Sequence, residues 1–265
     1  MKRFLAAVCA VLALTTHAAA VEVAAPSAIL MEKETGTVLF AKDEHAKLEP
    51  ASVTKVMTLL LVMEAIDAGT LQYDTVITAS AHACSMGGSQ IWLKENEQMT
   101  VDEMLKAVCV VSANDCAVAL AEAVAGSEAA FVERMNQAAE ELGLEGSHFS
   151  NATGLDAADH YMTARDLGTL ARRLVEDHPE YLDYSSQAEL EIGGLKFRNL
   201  NRLVGADPRV LGLKTGTTRI GGNNLVTYAR QGEESCYIVL LDSVSETRRF
   251  AETQKLLDLV FGGEG

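Results

Sequence analysis

The chain has 265 residues, 48% hydrophobic and 22% charged, an ordinary globular balance with enough apolar material for a sizeable core. Acidic residues outnumber basic ones 37 to 22, for a formal charge of −15 at pH 7. Such a surface repels nucleic acid and anionic lipid, so neither is expected as a partner.

The N-terminus reads as an export leader: Lys2 and Arg3, the apolar run FLAAVCAVLAL, and small residues ending Ala18-Ala19-Ala20, with cleavage expected after Ala20. The run is too short to span a bilayer comfortably. Cys9 lies inside it, preceded by Val8 and followed by more apolar residues, which disfavours a lipid-acceptor role. No later segment is apolar enough to cross a membrane. The mature part, residues 21–265, is therefore expected to be exported as a periplasmic, wall-associated or secreted protein with no stable membrane anchor.

After the leader, SAILMEKETGTVLFAKD predicts two strands around a turn at Glu34-Thr35-Gly36, and a helix beginning near Ser52 and ended by Gly69. From about 80 to 180 the pattern is mostly helical. EMLKAVCVV, NDCAVALAEAVAG, EAAFVERMNQAAEELG and TARDLGTLARRLVEDH all carry apolar residues at spacings of three and four. Thr163 and Asp166 resemble a capping box with Asp in place of Glu. From about 188 the period changes to strands in ELEIGG, VLGLKTG, NNLVTYARQ and SCYIVLLDSV, the last two forming a hairpin about Gly232; ETRRFAETQKLLDLVF closes as a helix. Strands near both ends with helices between them predict one α/β (α+β) body carrying an inserted helical subdomain.

Cys84, Cys109, Cys116 and Cys236 follow the leader. In an exported protein they allow two disulfides in any of three pairings; the other reading is small buried residues, and Cys109 and Cys116, seven apart, would share one helix face.

Three short motifs carry chemistry. Ser52-Val53-Thr54-Lys55 places Ser and Lys at i and i+3, within reach of each other on a helix. A lysine there is costly unless paired or neutral; burial and a neighbouring positive charge both lower its pKa and equip it to accept the serine proton. Ser112-Ala113-Asn114 falls where two helical patterns meet. Ser and Asn at such a junction are common as caps; the functional reading makes Ser112 a proton relay and Asn114 an amide clamp on substrate. Lys214-Thr215-Gly216-Thr217 follows the apolar run VLGL near a strand end. Lys214 there is either an ordinary strand lysine or a positive charge for a carboxylate, with Thr215 adding a hydroxyl donor and Gly216 allowing close backbone approach. Ser-x-x-Lys alone is frequent by chance, and Lys-Thr-Gly is the most informative of the three.

The set S-x-x-K, S-x-N and K-T-G, in that order, resembles the penicillin-recognising serine enzymes. Within them the likeness is to the D-alanyl-D-alanine carboxypeptidases, the low-molecular-mass penicillin-binding proteins. PASVTKVMT, GGSQIWL, SANDCAVALAE, FVERMNQAAEELG, HFSNATGLD and LKTGTT carry it, from about Pro26 to Phe261. The resemblance implies an antiparallel sheet flanked by helices, β-lactamase/transpeptidase-like, with an all-helical subdomain at about 80–180. It implies Ser52 as the acylated nucleophile, Lys55 as its base, and Ser112 and Asn114 as the middle wall. Lys214, Thr215 and Gly216 would hold the terminal carboxylate side, and the backbone N–H groups of Thr217 and Ser52 the oxyanion hole. Arg249, with Arg248 beside it in ETRRFAE, resembles a family arginine near the carboxylate pocket; an exposed helix arginine is the alternative.

The implied activity is removal of the terminal D-alanine from a peptidoglycan stem peptide ending in D-Ala-D-Ala, in cell-wall biogenesis and cell shape, with β-lactam antibiotics as mimics and no metal or cofactor. A β-lactamase of class A would add an E-x-x-L-N segment, which is not found downstream of Ser112; a non-catalytic receptor of the same fold is the other alternative. Cys116 stands where the family usually has alanine. Many relatives continue into a β-rich domain and an amphipathic anchor, neither of which is expected in a chain that stops at FGGEG.

Overall fold

The computed structural model describes residues 21–262; the leader lies outside them. In chain order, β1 (Ser27–Glu32) and β2 (Val38–Lys42) form a hairpin. A 3-10 turn at Ala51–Thr54 then leads into α1 (Lys55–Asp67). There follow β3 (Val76–Thr78), α2 (Ala81–Cys84), β4 (Gln98–Thr100), α3 (Val101–Val110) and α4 (Asn114–Ala125). Next come α5 (Glu128–Glu141), α6 (Ala164–Asp177) and α7 (Tyr181–Ser185), then β5 (Glu189–Ile192) and β6 (Leu195–Arg198). The C-terminal part is β7 (Val210–Thr218), β8 (Gly222–Gln231), β9 (Glu234–Ser243) and α8 (Glu246–Phe261).

Five strands make one antiparallel sheet in the order β2-β1-β9-β8-β7, as the mixed fold class predicts. Successive side chains of a strand point to opposite faces, and here both faces are covered. Ile29, Met31, Tyr237, Val239 and Leu241 join a core with α1, α3, α4 and α6. Ala28, Leu30, Cys236, Ile238 and Leu240 join a second core with Phe250, Leu256 and Leu257 of α8. Double coverage explains why YIVLL of β9 reads as an unbroken apolar run rather than an alternating one. Similarly, α1 is buried all round from Lys55 to Met63, which places it inside the first core rather than on a surface.

Several elements depart from expectation. Ser52 lies in the 3-10 turn rather than in the helix, because the helix begins at Lys55. The Thr163 hydroxyl accepts from Asp166 N at 3.0 Å, but the Asp166 carboxylate turns to Gly146 N (2.9 Å) and Ser147 Oγ (2.8 Å), leaving half a capping box. The reciprocal box is at Thr100 and Glu103, where the longer glutamate can reach back to the cap N–H. The four cysteines among the described residues are free, with Cys109, Cys116 and Cys236 buried. Burial pushes the Cys109 and Cys236 thiols up to about 12, so they are inert core residues.

Candidate active site

The turn carrying Ser52 is fixed from two sides. Ala51, just before it, has a left-handed backbone (φ 51), a conformation costly for a residue with a Cβ and sustained only where surroundings over-determine it. On the helical side Gly154 (φ 82) approaches so closely that any Cβ there would collide with Ala51 O. On the sheet side β7 is an edge strand, and a Cβ on Gly216 would lie 2.8 Å from Pro50 O and 3.0 Å from Ser52 N. Opposite Gly216 on β8, buried Asn224 donates through Nδ2 to Glu49 O (3.0 Å) and Pro50 O (2.8 Å). Its Oδ1 accepts from Asp242 N at 2.6 Å. Glycine is thus required for contact, and Asn224 ties the turn to the sheet.

Lys55 is fully buried. Its Nζ lies 2.6 Å from Asn114 Oδ1, 2.7 Å from Thr153 O and 3.1 Å from Ser52 Oγ. Burial, and next the charge of Lys214, hold its pKa well below that of a free lysine, against an opposing pull from Asp115. A neutral amine has two N–H groups and one lone pair. The two carbonyl oxygens, which can only accept, consume the N–H groups, and the lone pair is left for the serine hydroxyl. An amine so held can take the Ser52 proton.

Asn114 begins α4 and bridges parts of the site: beyond Lys55, its Nδ2 donates to Gly87 O (2.7 Å) and its backbone N–H to Ser89 O (2.7 Å). The neighbouring buried Asp115 accepts from Ile91 N (3.2 Å) and Leu93 N (3.0 Å), which fixes the 87–93 loop as a wall beside α4. Ser112, between α3 and α4, has φ 63, is buried, and its Oγ has no hydrogen-bond partner among the described residues. A left-handed serine with an unpaired buried hydroxyl is unfavourable on both counts, the pattern of a group held ready for a reacting molecule.

Lys214 is buried on β7, and its Nζ donates to Thr215 O at 3.1 Å. Burial pushes its pKa down to about 7, with the Arg249 charge adding to the depression and Cys109 opposing it. Arg249, 3% exposed at the start of α8, donates through Nη1 to Thr217 Oγ1 (2.8 Å) and Gly216 O (3.0 Å). Burial brings its pKa down to about 10, against the pull of Glu246. Arg248 instead faces outward, with Nε 3.8 Å from Glu252. Of the two adjacent arginines, Arg249 is the one set against β7.

The structure therefore gathers Ser52, Lys55 and Asn114 directly, and brings Arg249 onto the Gly216-Thr217 segment that packs on the Ser52 turn. Sequence reasoning missed Asn224, the Thr153 carbonyl, Asp115 and the pair formed by Thr54 and His160, whose Oγ1 and Nε2 are 2.8 Å apart. One signal was legible: in NATG the Asn151 carboxamide accepts from Thr153 N (3.1 Å) and Gly154 N (2.7 Å), an Asx turn that presents Thr153 O to Lys55.

By fold, the protein is similar to solved penicillin-binding proteins. Penicillin binding protein 5 from Haemophilus influenzae matches with a TM-score of 0.87 at 31% identity, covering 91% of this chain and 71% of that one. Penicillin-Binding Protein D2 from Listeria monocytogenes, in its ampicillin-bound form, matches with a TM-score of 0.83 at 29% identity, covering 90% and 98%. By sequence, the family described as D-alanyl-D-alanine carboxypeptidase matches residues 13–245. D-alanyl-D-alanine carboxypeptidase DacF of Bacillus subtilis (strain 168) is 39% identical over 246 residues, 89% of this chain. The chain belongs to the D-alanyl-D-alanine carboxypeptidase family. It spans less than two thirds of the length of curated relatives such as DacF, 62% in that case.

Proposed function

We propose that the protein is a serine-type D-Ala-D-Ala carboxypeptidase that removes the terminal D-alanine from peptidoglycan stem peptides and is acylated by β-lactams. The reading rests on one observation above all: a fully buried lysine whose two N–H groups meet fixed carbonyl oxygens while its nitrogen lies 3.1 Å from Ser52 Oγ. Relatives named as D-alanyl-D-alanine carboxypeptidases support the peptide substrate, and the ampicillin-bound relative supports the β-lactam.

In this reading Ser52 Oγ attacks the carbonyl carbon between the two D-alanines while Lys55 Nζ takes its proton. The backbone N–H groups of Ser52 and Thr217 hold the oxyanion. The proton passes through Ser112 to the amine of the departing D-alanine. Lys214, Thr215 and Arg249 bind the terminal carboxylate, and Asn114 and Gly216 position the peptide. Water then attacks the ester with its proton accepted by Lys55, and the acid product leaves as Ser52 recovers its hydrogen.

The setting follows from the same reading. Residues 1–20 are a cleaved leader, residues from 21 onward form the catalytic body, and the enzyme works outside the cytoplasmic membrane. Among the described residues no helix is long and apolar enough to cross a membrane.

The test is to incubate the protein with a D-Ala-D-Ala peptide and with penicillin, following D-alanine release and intact mass. Release together with a lasting penicilloyl adduct is expected, and Ser52→Ala should lose both. Rapid penicillin hydrolysis would make it a β-lactamase. An adduct persisting on Ser52→Ala would overturn the nucleophile assignment.

A further inference from the structure

Away from Ser52, one cluster among the described residues brings three metal-ligating side chains together: Asp67, His178 and Glu180, each with a donor atom within 4.8 Å of the others. Asp67 is the last residue of α1, whose thirteen residues place it about 18 Å along the helix from Lys55. His178 caps the C-terminus of α6, and Glu180 precedes α7.

Three features distinguish this cluster from a surface ion pair. First, the His178 ring is buried at 3% exposure; its Nδ1 approaches Asp67 without hydrogen-bond geometry, and its Nε2 has no partner among the described residues, which is unfavourable for an ordinary core histidine. Second, the spacing suits a metal. Nδ1 lies 3.2 Å from Asp67 Oδ2 and 3.9 Å from Glu180 Oε1. Ligands at zinc distances sit about 3.3 Å apart on the edge of a tetrahedron.

Third, negative charge predominates, although Glu180 also stands at the N-terminus of the short α7 and lines a cavity with Lys106. Two helix C-termini, the negative ends of their dipoles, point here together with two carboxylates. Neither α1 nor α6 has a basic residue in its last turn. The guanidinium of Arg173, one turn earlier, is committed to Asp177 at 2.6 Å. One imidazolium could balance only part of this.

We propose that Asp67, His178 and Glu180 form a binding site for one divalent transition-metal ion, with Zn²⁺ the best match to one imidazole and two carboxylates. Histidine among the ligands argues against Mg²⁺ or Ca²⁺, which prefer all-oxygen sets. Asp67 and Glu180 have side chains 62% and 40% exposed, so the fourth position opens to water. The site is structural. It ties the far end of α1 to the junction of α6 and α7, and plays no part in acyl transfer.

The experiment uses the protein stripped with a chelator and titrated with Zn²⁺, read by calorimetry and by melting. One equivalent should bind, and Zn²⁺ at a hundredfold over Kd should raise Tm by about 5 °C. Asp67→Asn and Glu180→Gln alter exposed carboxylates, so both should melt normally without metal and be acylated by penicillin normally. Each should nonetheless lose Zn²⁺ affinity by about tenfold or more. His178→Ala should abolish stoichiometric binding. Failure of the parent protein to take up one Zn²⁺ overturns the proposal, and so does undiminished affinity in the combined Asp67→Asn, Glu180→Gln variant.

Discussion

Lys55 and Lys214 are both buried, yet their surroundings equip them for different tasks. Lys55 Nζ is met by oxygens of three residues, two of them obligate acceptors, whereas among the described residues Lys214 Nζ donates only to the Thr215 carbonyl. With its pKa pushed down to about 7, Lys214 is mostly neutral at pH 8 and mostly charged at pH 6. A carboxylate bound beside it favours the charged form and so must draw in a proton when the pH is above 7. Using the Ser52→Ala variant to prevent turnover, calorimetry of D-Ala-D-Ala peptide binding at pH 8 in buffers of different ionisation enthalpy should show uptake of close to one proton. Adding Lys214→Arg should remove that uptake, because guanidinium is charged throughout. Lys214→Ala, which deletes a charged contact, is expected to lower kcat/KM by about 10- to 100-fold with a small change in Tm. A large melting loss with intact kcat/KM would refute the carboxylate role.

At the scale of elements, the turn carrying Ser52 depends on a neighbour that makes no hydrogen bond to Lys55. Asn224→Ala removes both hydrogen bonds to the Glu49 and Pro50 carbonyls and strands Asp242 N. Acylation by penicillin should slow by about tenfold or more, since small displacements of a reacting group are costly in rate. Thr100→Ala, at the reciprocal cap of α3, should instead lower stability by about 1 kcal/mol and leave the acylation rate unchanged. The helices α3 to α6 were legible because an apolar stripe at helical spacing is a local signal. So were Ser52, Lys55 and Lys214, because each belongs to a short contiguous motif. Asn224 was not: its significance comes from backbone carbonyls some 175 positions earlier in the chain. Strands β3 and β4 were also hidden, three residues each and separated by the whole 79–97 segment, α2 included. Whether Arg248 or Arg249 meets β7 depends on the phase of α8, which two adjacent identical residues cannot reveal.

The molecule as a whole carries an acid-sensitive joint. His160 is buried, with Ser150 N–H donating to its Nδ1 (3.1 Å), so Nε2 bears the hydrogen that Thr54 Oγ1 receives. Burial, and secondarily His148, brings its pKa down to about 4 from 6.5. Between those values the unfolded chain binds a proton that the folded chain refuses, so stability rises with pH across the window and is lost as pH falls from 6.5 towards 4. The full loss is about 3 kcal/mol. Urea melts at pH 7.5 and 4.5 should show it, and His160→Gln should flatten the difference; an unchanged slope would refute the assignment.

The pairing of β1 with β9, Ser27 opposite Leu241, has a temporal side. The strand made first finds its inner neighbour only when nearly the entire chain exists, and both cores wait on the same event. Helices with local contacts can form early, but a sheet closed by its last strand forms late and slowly. If the chain is exported as proposed, that order of assembly leaves it without a closed sheet until β9 is available, which favours passage across a membrane before folding.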